Sequence, residues 1–347
     1  MHRARRAPAS GLRNSYSLCL SPITLRLPIR VQTVAVVRCL LSDFELSALN
    51  LNTLRAIMIQ ARYVLVTPAK NEETSIGITI ESVVNQTVRP AEWVIVSDGS
   101  TDRTEEIVRA AAVAHPWIRL LPLPARPHRS FAAVVQATEA GVRALTVDGY
   151  EYLGLLDSDV RFQPDYFEQV IRQFESSARL GLAGAVVLDL GEPRDRLPRN
   201  RDDVPGAAQF FRRQCFEDIG GLLAIPEGGW DALTCARARM LGYETRLLTH
   251  LVMDHLKPRN ISEGSLLRRT WQLGVRDYAL GYRPLFECAK CLGRLLESPL
   301  FVGSIARWVG YCCATIQRRK RMIPGDLLKF VRIEQKRRLW QKLFPFR

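Results

Sequence analysis

The chain lacks an apolar run comfortably long enough to cross a bilayer. Its most apolar stretch, 299–316, is about the minimum length and carries Arg307 in mid-run. It lacks a cysteine framework as well. Its eight cysteines (Cys19, Cys39, Cys215, Cys235, Cys288, Cys291, Cys312, Cys313) are scattered over 347 residues, which fits reduced cytoplasmic thiols and not a small cross-linked domain. Cys288 and Cys291 form a lone C-x-x-C with no second pair, and read as two buried or lipid-facing thiols on successive helical turns. No apolar segment follows the short basic start, which disfavours a secretory leader. Zinc-finger spacing and the Gly-aromatic pattern of an RNA-binding sheet are missing too, so nucleic acid is an unfavoured partner.

What is present is charge of one sign at the two ends. The net charge is +14, with 47% hydrophobic and 24% charged residues. Residues 1–57 hold eight Arg against two acids, and 256–347 hold twenty Lys and Arg against six acids, so the middle, 58–255, is mildly acidic. A basic end invites an anionic membrane surface, or is simply a solvated face. Residues 1–57 have no acid before Asp43 and no sustained period. They read as a disordered or non-native extension, with a transit peptide as the alternative, since Met58 stands just before the first strand-like run.

From there the pattern is regular. β-rich apolar runs at 63–67, 93–97, 118–123, 152–156 and 182–188 alternate with helical periods at 75–86, 101–114, 131–146 and 164–176. Alternating strand and helix with continuously apolar strands predicts an α/β fold, a mostly parallel sheet covered on both faces. Ligands of such sheets bind at the carboxyl ends of strands. Three polar clusters follow strands there: Thr67-Pro68-Ala69-Lys70-Asn71-Glu72-Glu73, Asp98-Gly99-Ser100-Thr101-Asp102 and Asp157-Ser158-Asp159. Two carboxylates leaving a buried strand repel each other unless a cation is near. Their alternation lets one reach a divalent metal and the other ribose or metal-bound water. Each cluster also has a plain reading as a strand-to-helix turn, with Ser100 or Thr101 as a helix cap.

Taken in order, Val-Thr-Pro-Ala-Lys-Asn-Glu-Glu, Ser-Val-Val-Asn-Gln-Thr, Val-Ile-Val-Ser-Asp-Gly-Ser-Thr-Asp and Leu-Leu-Asp-Ser-Asp resemble the family 2 glycosyltransferases of the GT-A fold, over about 63–255. The resemblance implies a Rossmann-like catalytic domain at 58–258 and a nucleoside-diphosphate sugar donor, UDP-linked by preference, with Mg²⁺ or Mn²⁺. It implies that Pro68, Ala69, Lys70, Asn71, Glu72 and Asp98 hold base and ribose, with Lys70 where the family often has Tyr. Asp157 would lie near ribose and Asp159 would ligate the metal, with His255 completing its shell and His250 as competitor. Arg129, in the loop 126–130, would approach the diphosphate, and Lys257 and Arg259 would offset its charge. Asp231 would be the base for the acceptor hydroxyl, with Glu227 in reserve, and Trp230 beside it would stack on the acceptor or pack in the core.

The segment 259–347 reads as basic amphipathic helices at 264–280, 286–296, 299–316 and 327–343, the third followed by Arg318-Arg319-Lys320-Arg321. They would lie at an anionic membrane interface or cap the catalytic domain. No Gln-x-x-Arg-Trp string occurs, which disfavours a processive polymer synthase. The expected activity is inverting transfer to a glycan or lipid-linked acceptor in cell-surface polysaccharide biosynthesis, at the inner face of the membrane. Alternatives are an inactive nucleotide-sugar-binding scaffold and a sugar nucleotidyltransferase. The latter needs a Gly-rich loop after the first strand, and 68–73 contains no Gly.

Overall fold

The computed structural model describes residues 62–125, 131–193, 200–257, 266–297 and 299–343. The chain divides into two units, Met1–Leu54 and Arg55–Arg347; all described residues belong to the second. The expected extension over 1–57 therefore lies outside them.

The sheet has eight strands: β1 (Tyr63–Ala69), β2 (Glu92–Asp98), β3 (Ile118–Leu123), β4 (Tyr152–Leu156), β5 (Val160–Arg161), β6 (Leu180–Asp189), β7 (Ala208–Arg212) and β8 (Glu244–His255). Their order is β3-β2-β1-β4-β7-β6-β8-β5. β1 pairs in parallel with β2 and β4, β2 with β3, and β6 with β8. β7 runs antiparallel to both β4 and β6. Two reversals restore direction, so β1 to β4, β6 and β8 all end on one edge of the sheet.

Helices cover both faces. α1 (Ile76–Val84), α2 (Thr104–Ala114), α3 (Phe131–Arg143) and α4 (Tyr166–Ser176) follow β1, β2, the loop after β3, and β5; α5 (Arg213–Asp218) and α6 (Trp230–Met240) lie between β7 and β8. In β1 the pleat still sorts side chains although every valine and leucine is buried. Tyr63 and Leu65 join one core with Trp93, Ile95, Phe167 and Phe210. Val64 and Val66 join the other with Val94, Val96, Leu155 and Phe211. Two covered faces explain why the strands read as unbroken apolar runs. The helix α4 shows the complementary period, burying Tyr166, Phe167, Val170, Ile171 and Phe174 along one side.

Four further helices follow: α7 (Leu266–Ala279), α8 (Pro284–Leu292), α9 (Val302–Ile316) and α10 (Gly325–Leu343). α10 docks on α6 through Leu327 and Val331 against Leu233 and Ala236. The Arg239 guanidinium also donates to both Glu334 carboxylate oxygens, at 2.8 and 2.9 Å. α7 and α9 approach backbone to backbone. A Cβ on Gly274 would overlap the Arg307 carbonyl oxygen, and one on Gly310 would overlap that of Trp271. Arg307, the charge that interrupts the apolar stretch, is buried between them. Its Nε donates to Asp277 at 2.9 Å and to Glu287 at 3.0 Å, and Lys290 donates to Asp277 at 2.9 Å. Burial alone would raise the Asp277 pKa, but the cations Lys290, Arg307 and Arg276 outweigh it and hold the carboxyl well below its ordinary range. Among the described residues, no helix is long and apolar enough to cross a membrane.

Candidate functional site

β4 ends at Leu156, and Asp157-Ser158-Asp159 turns the chain into the two-residue β5. Thr79 of α1 grips this turn from below. Its hydroxyl lies 3.0 and 2.9 Å from the carbonyl oxygens of Ser158 and Val160 and accepts from the Val160 N–H at 3.1 Å. The pairing of β5 with the end of β8 sets Val160 opposite His255. The Leu256 N–H donates to the Asp159 carbonyl at 2.8 Å. The imidazole and the second aspartate are thereby brought together: His255 Nε2 lies 3.5 Å from Asp159 Oδ1. One ligand atom from each of Asp157, Asp159 and His255 falls within 4.8 Å of the other two. His250, the competing histidine, is exposed on the segment where the β6–β8 register shifts.

The Nδ1 of His255 contacts the Lys257 carbonyl oxygen. A carbonyl only accepts, so Nδ1 donates to it, which orients the ring with Nε2 toward Asp159, the nitrogen that could ligate a metal. The carboxylates are set for a cation. Burial first, and then the charge of Asp159, pushes Asp157 from 3.8 up to about 7. Asp159 is also raised, by burial, with His255 opposing. Crowded carboxylates in a poorly hydrated place hold a proton when no ion neutralises them. Two carboxylates and one imidazole suit a divalent ion that accepts both oxygen and nitrogen, which favours Mn²⁺ over Mg²⁺.

The loops after β1 and β2 are laced together beside this cluster. Asn71 takes the left-handed conformation, φ 57°. Its side-chain oxygen accepts from the Thr101 N–H at 2.8 Å, and its own N–H donates to Ser100 Oγ at 3.2 Å. The Glu72 N–H donates to Thr104 Oγ1 at 2.7 Å, and the Glu73 N–H to Asp102 Oδ2 at 3.0 Å. Asp102 also accepts from the Thr104 N–H at 3.0 Å, at the residue where α2 begins. Ser100 and Thr101, read as cap candidates, instead serve the neighbouring loop. Asp98 ends β2 at 7% exposure, with Lys70 Nζ 3.8 Å from its Oδ2. Glu72 faces the metal cluster and is held by Lys257 Nζ at 2.5 Å and by the Ser75 hydroxyl. Pro68 and Ala69 are the last residues of β1. Arg129 and Arg259 lie outside the described residues.

α6 begins after Gly228 and Gly229, both at positive φ (84° and 83°), a turn only glycine makes without strain. Asp231 stands in its first turn and is near enough that its charge adds to the upward push on Asp157. Burial raises Asp231 itself, while Arg276 of α7 opposes. Its Oδ1 accepts from the Ala232 N–H at 2.9 Å, while the helix N-cap itself is Gly229. Trp230 is 9% exposed in the second core, and its ring packs so closely on Gly206 that a Cβ there would lie 2.7 Å away. Packing takes up that ring. Glu227 is half-buried in the preceding loop.

Two residues escaped sequence reasoning. Thr79 was readable only as a helical threonine among apolar neighbours. Arg276 lies in a segment read for its amphipathic pattern alone.

A sheet whose strand ends carry an acidic, metal-ready cluster is the architecture of the GT-A fold. The mannosyltransferase of Pyrobaculum calidifontis, solved in complex with GDP-Man and Mn²⁺, shares it at TM-score 0.51 and 20% identity, over 74% of each chain. Residues 64–225, just under half of the chain, match the model of glycosyl transferase family 2. Chondroitin synthase of Pasteurella multocida is 33% identical over 107 residues, 31% of this chain and 10% of that protein. Poly-β-1,6-N-acetyl-D-glucosamine synthase of Staphylococcus epidermidis is 22% identical over 226 residues, 63% of this chain and 47% of that protein. The chain thus spans about a tenth to a half of the curated relatives it matches.

Proposed function

We propose that the chain is an inverting, metal-dependent glycosyltransferase that moves a sugar from a nucleoside diphosphate to a hydroxyl of a glycan or lipid-linked acceptor in cell-surface polysaccharide biosynthesis. The observation that carries this reading is the meeting of Asp157, Asp159 and His255 within 4.8 Å at the shared strand edge, with Asp231 close by. Mn²⁺ or Mg²⁺ would be held by Asp159 and His255, with Asp157 toward ribose or metal-bound solvent. Once bound, it would neutralise the diphosphate and so ease its departure.

The protein's own groups divide the remaining work. Asp98 and the loop Pro68 to Glu72 form the cradle for base and ribose, which the laced loops make rigid. Lys257, now paired with Glu72, is a cation placed to exchange that partner for phosphate oxygen. Asp231 accepts the acceptor's hydroxyl proton as its oxygen bonds to the anomeric carbon and the bond to diphosphate breaks on the opposite face. A buried carboxylate with a raised proton affinity suits that task. A UDP-linked donor follows from the family resemblance. The acceptor side would work at the inner face of the cell membrane, in peripheral contact with anionic lipid.

Thermal denaturation with nucleoside diphosphates and their sugars, each with and without Mn²⁺, tests this directly. The matching ligand at about a hundred times its Kd stabilises by about 2.7 kcal/mol. Asp159→Ala should abolish the metal-dependent part of the shift and the transfer of sugar. If transfer persists unchanged in Asp159→Ala, the reading is wrong.

A further inference from the structure

The helix α9 buries one face against the cap and exposes an apolar face that has no partner among the described residues. Gly303, Ser304, Arg307, Gly310, Tyr311 and Ala314 are buried toward α7 and α8. Phe301, Val302, Ile305, Val309 and Ile316 are exposed, Ile305 at 58% and Ile316 at 80%. At 3.6 residues per turn the four within α9 fall within about 60° of arc, opposite the buried side, and Phe301 stands at the helix start beside them. Leu296 and Leu300, in the turn before α9, extend the same exposed apolar surface. A contiguous exposed apolar patch of this kind marks a binding face.

Charge identifies the occupant. Between Glu297 and Asp326 the chain carries no acid. The mid-helix cation, Arg307, is neutralised inside the bundle by Asp277 and Glu287, so it does not oppose burial of the outer face. Arg318, Arg319 and Lys320 follow directly and are exposed. An apolar stripe ending in an unopposed basic cluster matches acyl chains beneath anionic headgroups. A second copy of the chain would bring no acid over 298–325 to neutralise the cluster.

We propose that α9 and the turn before it lie in the plane of an anionic membrane. Phe301, Ile305, Val309 and Ile316 would enter the acyl boundary, with Arg318, Arg319 and Lys320 on the headgroups. This deepens the peripheral contact of the reading above and rests on it for the presence of a membrane-borne acceptor. Its test needs no donor or acceptor, so the two can fail separately.

The full chain is floated with vesicles of phosphatidylcholine, with and without phosphatidylglycerol. Binding to the mixed vesicles, weakened by salt, is expected. Ile305→Glu with Val309→Glu should lower it by about tenfold or more, as charge placed on the inserted face is strongly disfavoured, with helix content by circular dichroism unchanged. Should that pair fail to fold, Arg318→Gln with Arg319→Gln and Lys320→Gln tests the same face and should remove the preference for phosphatidylglycerol. Absence of vesicle binding overturns the proposal. So does binding that neither set alters, and so does equal binding to neutral vesicles. A shift from dimer to monomer in Ile305→Glu with Val309→Glu, without vesicle binding, would assign the face to self-association instead.

Discussion

At the scale of single residues, the candidate site separates groups that would do chemistry from groups that aim them. Asp231 belongs to the first set. Asp231→Asn keeps the size and an oxygen for the Ala232 N–H but cannot take a proton, so kcat should fall by about 10² to 10⁴-fold. Donor binding, followed by thermal shift, should remain. Thr79 belongs to the second set. Thr79→Val is nearly isosteric, yet it leaves the Val160 N–H without its partner inside the core. A loss of about 1–3 kcal/mol by denaturant titration is expected, together with weaker metal binding, because the same hydroxyl fixes the turn that carries both aspartates. Unchanged Mn²⁺ affinity in Thr79→Val would mean that the turn holds its shape without the hydroxyl.

At the scale of elements, β1 to β4 were legible because each is a continuous β-branched or leucine-rich run bounded by turn residues. The carboxylates after β2 and β4 were legible for the same reason, since a polar residue ending such a run stands out. β7 was not: Ala-Gln-Phe-Phe-Arg is short, and its antiparallel insertion between β4 and β6 is decided by neighbours. The two-residue β5 has no signal at all, although it is what carries Asp159 to His255. The C-terminal helices were legible as helices, but not in their partners. Arg307 counted only against a bilayer span, and its burial by Asp277 and Glu287, 30 and 20 residues away, could not be read from the sequence. The α7–α9 crossing gives a direct test. Gly310→Leu must drive the helices apart against the Trp271 carbonyl, and overpacking of this kind costs about 3 kcal/mol or more where backbone opposes it. The cap should lose protection from hydrogen exchange, while α1 to α4 keep theirs.

For the whole molecule, the central sheet and the helical cap meet at one place of functional interest, where Arg276 of α7 bears on Asp231 of α6. On the proposed reading, the cluster of Asp157, Asp159 and His255 would also make the molecule's ligand response depend on pH. Asp157 is pushed up to about 7, so below that value an entering cation must expel a proton. Mn²⁺ affinity should therefore decline as pH falls through about 7 and level off above it. The sign for stability is the reverse in metal-free protein. A carboxyl whose folded pKa is raised contributes stability below its ordinary value of 3.8, and that contribution fades as pH rises to about 7. Calorimetry with and without Mn²⁺ should show the metal-induced gain in Tm growing from acid to neutral pH; a gain independent of pH would place the ion elsewhere.

The pairing of β5 with β8 bears on how the protein is made as well as on what it holds. Asp157 and Asp159 leave the ribosome nearly a hundred residues ahead of His255, and chains grow by about 5–20 residues each second. For several seconds the nascent chain carries two buried-to-be carboxylates without their imidazole or the strand that clamps them. On the proposed reading, the full ligand set would be complete only once β8 has threaded between β6 and β5, which would make tight metal capture a late event in the protein's biogenesis.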